Sequence, residues 1–207
     1  MVWSCLVSIL PGMAQTEKLT DYVNPFVGTD GYGNVYPGAQ IPFGGIQISP
    51  DTDSRFYDAA SGYKYNHLTL MGFSLTHLSG TGIPDLGDFL FIPGTGEMKL
   101  EPGTHEDPDQ GYRSRYSHDK EWASPNYYAV ELADYGVKAE MTSGVRSGMF
   151  RFTYPESDNA FIMIDMNHTL WQSCEWSNLR MINDSTITGY KLVKGWGPEL
   201  SSYQQSL

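Results

Sequence analysis

Residues 127–142 read YYAVELADYGVKAEMT, and this stretch decides the class of the fold. Apolar and polar side chains alternate after the turn residues Asp134, Tyr135 and Gly136. A period of two is typical of a β-strand with one buried face. The stretch therefore predicts a β-hairpin whose turn contains residues 134–136.

The rest of the chain has the same character, with turn residues between short strand-like segments and almost no helical periodicity. The apolar run from Ala160 to Met166 is short enough for a strand buried on both faces. Because no βαβ rhythm is present, the sequence predicts an all-β fold, a large antiparallel β-sandwich. Further strands are predicted at residues 146–154, Gly45–Ser49, Gly72–Leu78, Asp88–Ile92, Arg113–His118 and Thr186–Leu192.

Composition excludes several classes of function. The 207 residues contain 24 Asp and Glu against 13 Lys and Arg, which argues against a nucleic-acid partner because phosphate binding needs a basic face. Dinucleotide, phosphate-loop, HExxH, CxxC and Gly-x-Ser-x-Gly motifs are missing from the sequence. The five histidines lack metal-ligand spacing, so no metal site is assigned to this chain.

The first fourteen residues predict an incomplete secretion signal. An apolar run from Val2 to Leu10 precedes Pro11 and a small-x-small site that ends at Ala14. This run is too short to span a bilayer, so no membrane partner is expected. The interpretation places the protein in the periplasm or outside a bacterial cell, with a disordered extension or a lipid anchor at Cys5 as the alternatives.

Residues 22–88 are rich in Gly, Pro and Tyr, with single His, Arg and Asp residues between them. Five motifs stand out in order: YVNPFVGT, YPGAQIPFG, QISPDT, SGYKY and GFSLTHLSGTG. Ring faces, hydroxyls and carboxylates on tightly turned loops suit a sugar, which offers C–H faces for stacking and hydroxyls for hydrogen bonds.

The five motifs, in this order and spacing, resemble the start of glycoside hydrolase family 92, the calcium-dependent exo-acting α-mannosidases. The resemblance continues through residues 114–155 and covers roughly Asp21 to Glu199. It implies a galactose-mutarotase-like super-sandwich, an α-mannoside glycan as the partner and an inverting reaction assisted by calcium. It also implies that a helical C-terminal domain supplies the catalytic Glu and Asp and most of the calcium site. No catalytic residue is therefore assigned in this chain.

His77 is the first candidate for sugar binding, because it precedes the Gly-rich turn that contains Ser79 and Gly80. An imidazole at the mouth of such a turn can donate to a sugar hydroxyl. The alternative is a histidine satisfied by a backbone carbonyl inside the sandwich. The motif is expected to lie where the two domains of the family meet.

Arg55, Tyr36 and Tyr63 are further candidates for lining the pocket, with aromatic residues that plug the ends of the sandwich as the alternative. The tryptophans beyond these motifs are expected in core or interdomain packing. Two close carboxylate pairs have the hard oxygen ligands that suit calcium, although turn capping is the commoner role of such residues. The pairs are Asp51 with Asp53 and Asp85 with Asp88.

The last residues predict a truncated domain. KGWGPE at residues 194–199 is followed by LSSYQQSL, which lacks the alternation of the strand expected there. The prediction is a sandwich over residues 15–207 that ends before the helical domain and is inactive alone. A non-catalytic carbohydrate-binding β-sandwich is the main alternative, and a sugar mutarotase of the same architecture is a third.

Overall fold

The computed structural model describes residues 17–54, 59–194 and, for the backbone, 203–206. The predicted secretion signal at residues 1–14 lies outside the described residues. Within them, short 3-10 turns are present but no α-helix. The strands are β1 (Ser49–Asp51), β2 (Thr69–Leu70), β3 (Gly72–Ser74), β4 (Leu90–Thr95), β5 (Ser114–Arg115), β6 (Glu121–Ser124), β7 (Tyr127–Leu132), β8 (Val137–Ser143), β9 (Gly148–Thr153), β10 (Ala160–Asp165), β11 (Cys174–Asn183), β12 (Thr186–Val193) and β13 (Tyr203–Ser206).

Two four-stranded antiparallel sheets form the sandwich, in the orders β1-β3-β4-β10 and β6-β7-β8-β9. The predicted hairpin is the β7–β8 pair, which closes with Leu132 opposite Val137. Phe73 of the first sheet lies 6.4 Å from Phe152 of the second, measured between ring centroids, inside one core cluster. The prediction of an all-β antiparallel sandwich is confirmed.

Strand β10 is not buried on both faces, so that prediction is wrong. Ile162 is 53% exposed. It pairs with Pro93 and therefore lies on the sheet face that carries Phe91, whose ring is 5.1 Å from that of Phe150 in β9. In the described residues β9 is the edge strand of the second sheet, so that sheet has no further strand to cover Ile162.

Several predicted strands are shorter or displaced. The strand predicted at Gly45–Ser49 is β1, which begins at Ser49, and residues before it make only the Ala39–Ile48 bridge. The strand predicted at Gly72–Leu78 ends at Ser74, after which Leu75 donates its N–H to the Asp88 carbonyl. Only Ser114–Arg115 of the predicted Arg113–His118 strand is paired, while β6 and β11 were not predicted.

Strands β11, β12 and β13 form a separate three-stranded antiparallel ribbon. Its tip carries the exposed side chains of Met181, Ile182 and Ile187. Residues 203–206 pair with β12, although the sequence shows no clear strand pattern there. Within the described ranges, no helix has the length and apolarity needed to cross a membrane.

Candidate functional site

The carboxylate of Asp51 lies between two imidazoles in the interior. Nε2 of His77 is 2.8 Å from Oδ1, and Nε2 of His168 is 2.7 Å from Oδ2. All three side chains are buried. Burial alone would raise the pKa of Asp51, but the charges and hydrogen bonds of the two imidazoles outweigh it and hold that pKa well below its usual range. Asp51 is therefore an ionised acceptor that joins two distant segments of chain.

His77 is engaged within the protein through both ring nitrogens. Its Nδ1 lies 2.7 Å from the Gln47 carbonyl oxygen, and its Nε2 is shared between Asp51 and the hydroxyl of Ser74 at 3.0 Å. This is the arrangement of the alternative interpretation, a histidine satisfied inside the sandwich. The geometry gives His77 no nitrogen for a sugar hydroxyl. Its two neighbours in the motif, Ser79 and Gly80, are exposed on the turn.

Gly62 of the SGYKY motif is required for the approach of Asp51. It has a φ of +85°, and a Cβ at this position would lie 2.0 Å from Oδ1 of Asp51. A side chain at residue 62 and the Asp51–His77 contact exclude each other. The motif thus contributes to the site because Gly62 has no side chain and leaves room for the carboxylate of Asp51.

The turn at residues 168–172 is held to the rest of the domain at several points. Lys191 donates from Nζ to the His168 carbonyl at 2.5 Å and pairs with Asp88 at 2.9 Å, with neither charged side chain exposed. The N–H of Leu170 donates to the Leu86 carbonyl, 2.9 Å away.

Trp171 protrudes from this turn in an unusual backbone conformation. Its φ is +80°, a rare value for a bulky residue, and its side chain is 48% exposed. Thr169 donates its hydroxyl to the Gln172 carbonyl at 2.7 Å, which closes the turn around Trp171. Strained conformations of this kind persist only where the surroundings impose them.

An open cleft of about 480 Å³ lies beside this turn. Trp171 supplies an aromatic face, and Asp165 supplies a carboxylate whose Oδ2 accepts from the Tyr112 hydroxyl at 2.9 Å. Aromatic and polar groups of this kind at a concave surface suit a polyhydroxylated ligand. The lining residues are Ser54, Met71, Pro102, Tyr112, Asp165, Asn167, His168, Thr169, Trp171 and Gln172.

The aromatic candidates lie in the core, as in the plugging alternative. Tyr36 is 8% exposed and donates to Gln40, and Tyr63 is 1% exposed and donates to Glu121. Burial, reinforced by Tyr116 and Glu121, raises the pKa of Tyr63. Neither ring faces the cleft.

Arg55 lies outside the described residues, although its neighbour Ser54 lines the cleft.

The carboxylates near the site do not fit a calcium ion. Both oxygens of Asp51 accept from imidazoles, and Asp88 pairs with Lys191. In the described part of the chain, no three His, Cys, Asp or Glu side chains form a group able to hold a metal. We derive no step through calcium from these residues.

The sequence did not single out His168 and Trp171, which the structure places at the cleft. Their segment, HTLWQ, has no motif of its own, and Trp171 was expected in packing. The signal that marks it is the left-handed φ, which a sequence does not display. Asp51 is 117 residues away from His168, so no local pattern connects them.

Comparison with known proteins identifies the family. Residues 22–206 match the profile of the Glycosyl hydrolase family 92 N-terminal domain. The chain therefore belongs to glycosyl hydrolase family 92, and the described residues are part of its N-terminal domain.

Two solved structures carry the same fold. A family 92 α-mannosidase from Bacteroides thetaiotaomicron, in complex with mannoimidazole, is 97% identical, with a TM-score of 0.88 over 91% of this chain and 24% of that one. Another family 92 glycosyl hydrolase is 28% identical, with a TM-score of 0.73 over 90% of this chain and 25% of that one.

An uncharacterized secreted glycosidase of Arthroderma benhamiae is 30% identical over 139 residues, which is 66% of this chain and 17% of the relative. The chain thus spans a quarter or less of the length of these proteins.

Proposed function

We propose that this chain is the sugar-facing N-terminal part of a secreted α-mannosidase that removes terminal α-mannose from glycans with inversion. The observation that carries the proposal is the 97% identity to an α-mannosidase solved with mannoimidazole. The cleft beside Trp171 supplies one wall of the mannoside pocket. Residues 15–207 belong to this part, and residues 1–14 belong to its secretion signal.

Proton transfer is assigned to the part of the longer protein that this chain does not span. An inverting glycosidase needs an acid and a base whose carboxyl groups lie about 6.5–9.5 Å apart. The carboxylate in the cleft, Asp165, has Oδ2 bonded to Tyr112 and Oδ1 bonded to the backbone N–H groups of Asn167 and His168. We therefore assign Asp165 to positioning and binding, and the chain alone is inactive.

Calcium belongs to the same proposal and is bound mainly by the helical domain. Held there, calcium would supply contacts to the hydroxyls of mannose. The residues described in this chain orient the sugar by aromatic stacking on Trp171 and by hydrogen bonds from the polar rim of the cleft. The Ser79–Gly80 turn and Arg55 are kept as proposed contacts at the interface.

Isothermal titration of the purified chain with methyl α-mannoside tests the role of the cleft. We expect weak binding by the wild type, loss of binding in Trp171→Ala and unchanged binding in Trp122→Ala, since Trp122 is equally exposed at 45% but lies on β6. Equal binding by the two variants contradicts the assignment. An assay of mannose release from α-mannobiose distinguishes the alternatives. Release by the chain alone contradicts its proposed inactivity. Tight binding of methyl α-mannoside, together with no mannose release by a longer form of the protein, favours a non-catalytic binding module.

A further inference from the structure

We propose that Asp51 is a positioning residue for the cleft: it joins the His77 motif to the 168–172 turn and thereby fixes where the ring of Trp171 is presented to a ligand. The identity of that ligand, an α-mannoside, rests on the proposed function. The positioning itself rests on the geometry of Asp51 alone. Asp51 is fully buried and is not one of the residues that line the cleft.

Asp51 connects segments that are distant in the sequence. Each oxygen of Asp51 accepts from one imidazole, His77 at 26 residues' separation and His168 at 117. One carboxylate thus holds together the end of β1, the turn after β3 and the turn after β10. Among these, only His168 also lines the cleft.

The hydrogen-bond partners of the two imidazoles determine where their protons lie. Nδ1 of His77 faces the carbonyl oxygen of Gln47, which only accepts, and Nε2 faces the ionised carboxylate of Asp51. Both nitrogens of His77 must therefore carry a hydrogen, which makes the ring an imidazolium. His168 must carry its proton on Nε2 to donate to Asp51. The buried carboxylate of Asp51 thus fixes the orientation of both imidazoles, and we call this arrangement the clamp. Removal of the Asp51 charge would leave the charge of His77 buried without a partner.

The connection from Asp51 to Trp171 runs through His168. The imidazole of His168 is held by Asp51, and its carbonyl is held by Lys191. Leu170 has a backbone bond to Leu86, and a Cβ on Gly87 would lie 2.6 Å from Cγ of Leu170. The turn therefore has little freedom before Trp171, and after it Gln172 donates from Nε2 to Oδ1 of Asp85 at 2.7 Å. This restraint maintains the φ of +80°, which has no support in the intrinsic preference of tryptophan.

The test uses Asp51→Asn, with Glu121→Gln as the matched control. Glu121 is a second buried carboxylate that accepts from the hydroxyls of Tyr63 and Tyr128 and lies outside the cleft lining. Both variants replace one buried carboxyl group with an amide. The indole N–H resonance of Trp171, assigned with Trp171→Phe, reports the position of the ring, and titration with methyl α-mannoside reports affinity.

We expect Asp51→Asn to shift the Trp171 resonance and to weaken mannoside binding at least tenfold, while Glu121→Gln lowers stability and changes neither. A folded Asp51→Asn chain with an unmoved resonance overturns the inference. If the wild type binds no mannoside, the proposed function fails, but the resonance still decides the positioning.

Two measurements serve if Asp51→Asn does not fold. Nitrogen-15 spectra of the wild-type histidines should give His77 protonated on both nitrogens and His168 protonated on Nε2, and a bare Nε2 on either ring refutes the clamp. His168→Gln retains a donor for Asp51, so it should preserve the Trp171 resonance better than His168→Ala. Equal shifts in these two variants also refute it.

Discussion

The Nζ of Lys191 lies 2.9 Å from Oδ1 of Asp88, and neither side chain is exposed to solvent. The pair joins β12 of the ribbon to the loop before β4. Lys191 also lies 5.5 Å from the centre of the Phe89 ring. The ribbon is therefore attached to the sandwich by a buried ion pair and not by apolar contacts alone.

Loss of one partner of this pair should be costly, because the other charge remains buried. We expect Lys191→Met to lower the free energy of unfolding by about 3–5 kcal/mol. The double variant Lys191→Met/Asp88→Leu should lose less than the single one. Urea unfolding measures both.

The exposed pair of Lys120 and Glu131 is the control, and Lys120→Ala should barely move the unfolding midpoint. A Lys191→Met loss no larger than that of Lys120→Ala contradicts the role of the buried pair.

Gly62→Ala should disrupt the Asp51 cluster. The left-handed backbone costs an alanine about 1–2 kcal/mol, and the new Cβ also displaces the carboxylate of Asp51. Gly80→Ala is a matched control, because Gly80 has a φ of +73° and no atom within 4 Å of its virtual Cβ. We expect a clearly larger loss of thermal stability for Gly62→Ala. Equal losses would show that only the backbone matters at residue 62.

Acid should weaken the domain partly through Asp51. The pKa of Asp51 is lowered in the native state, whereas in the unfolded chain it is about 3.9. Its contribution is therefore complete above about pH 4 and is lost as the pH falls towards the native value. Asp51→Asn should show a shallower decline in unfolding free energy between pH 5 and pH 2 than the wild type. Parallel declines in urea titrations at these pH values are the contrary result.

The uncovered face of β10 should promote self-association. Ile162→Lys replaces a side chain that is 53% exposed on the edge strand, and charged residues on edges oppose strand pairing. We expect less light scattering on heating and an unchanged free energy of unfolding. Ile92→Lys is the buried control, since Ile92 is 1% exposed and the variant should not fold stably. Undiminished scattering from Ile162→Lys would assign the association to another surface.

The sequence predicted best those features that depend on neighbouring residues. The hairpin at 127–142 follows from alternation of neighbouring side chains, and five ordered motifs are enough to recognise the family. Burial of β10 was mispredicted because exposure of Ile162 depends on the width of the opposite sheet, which the residues of β10 do not encode.

The site was harder to predict, because its contacts connect distant segments. The THLSG motif does not determine whether its histidine faces a ligand or the interior. The contacts of His77 with oxygen atoms of Gln47 and Asp51 show that it faces the interior. No sequence pattern predicts the positions of His168 and Trp171. These positions depend on the buried carboxylate of Asp51 and on the backbone angle φ of Trp171.

The long separation of Asp51 and His168 has a consequence for synthesis on the ribosome. Strands β6 to β9 pair with their immediate neighbours, so they can assemble as soon as they emerge. Asp51 can bind His168 only after 117 further residues have been synthesised. A translational pause before that point leaves a nascent chain with hairpins already formed and the 168–172 turn not yet attached to Asp51.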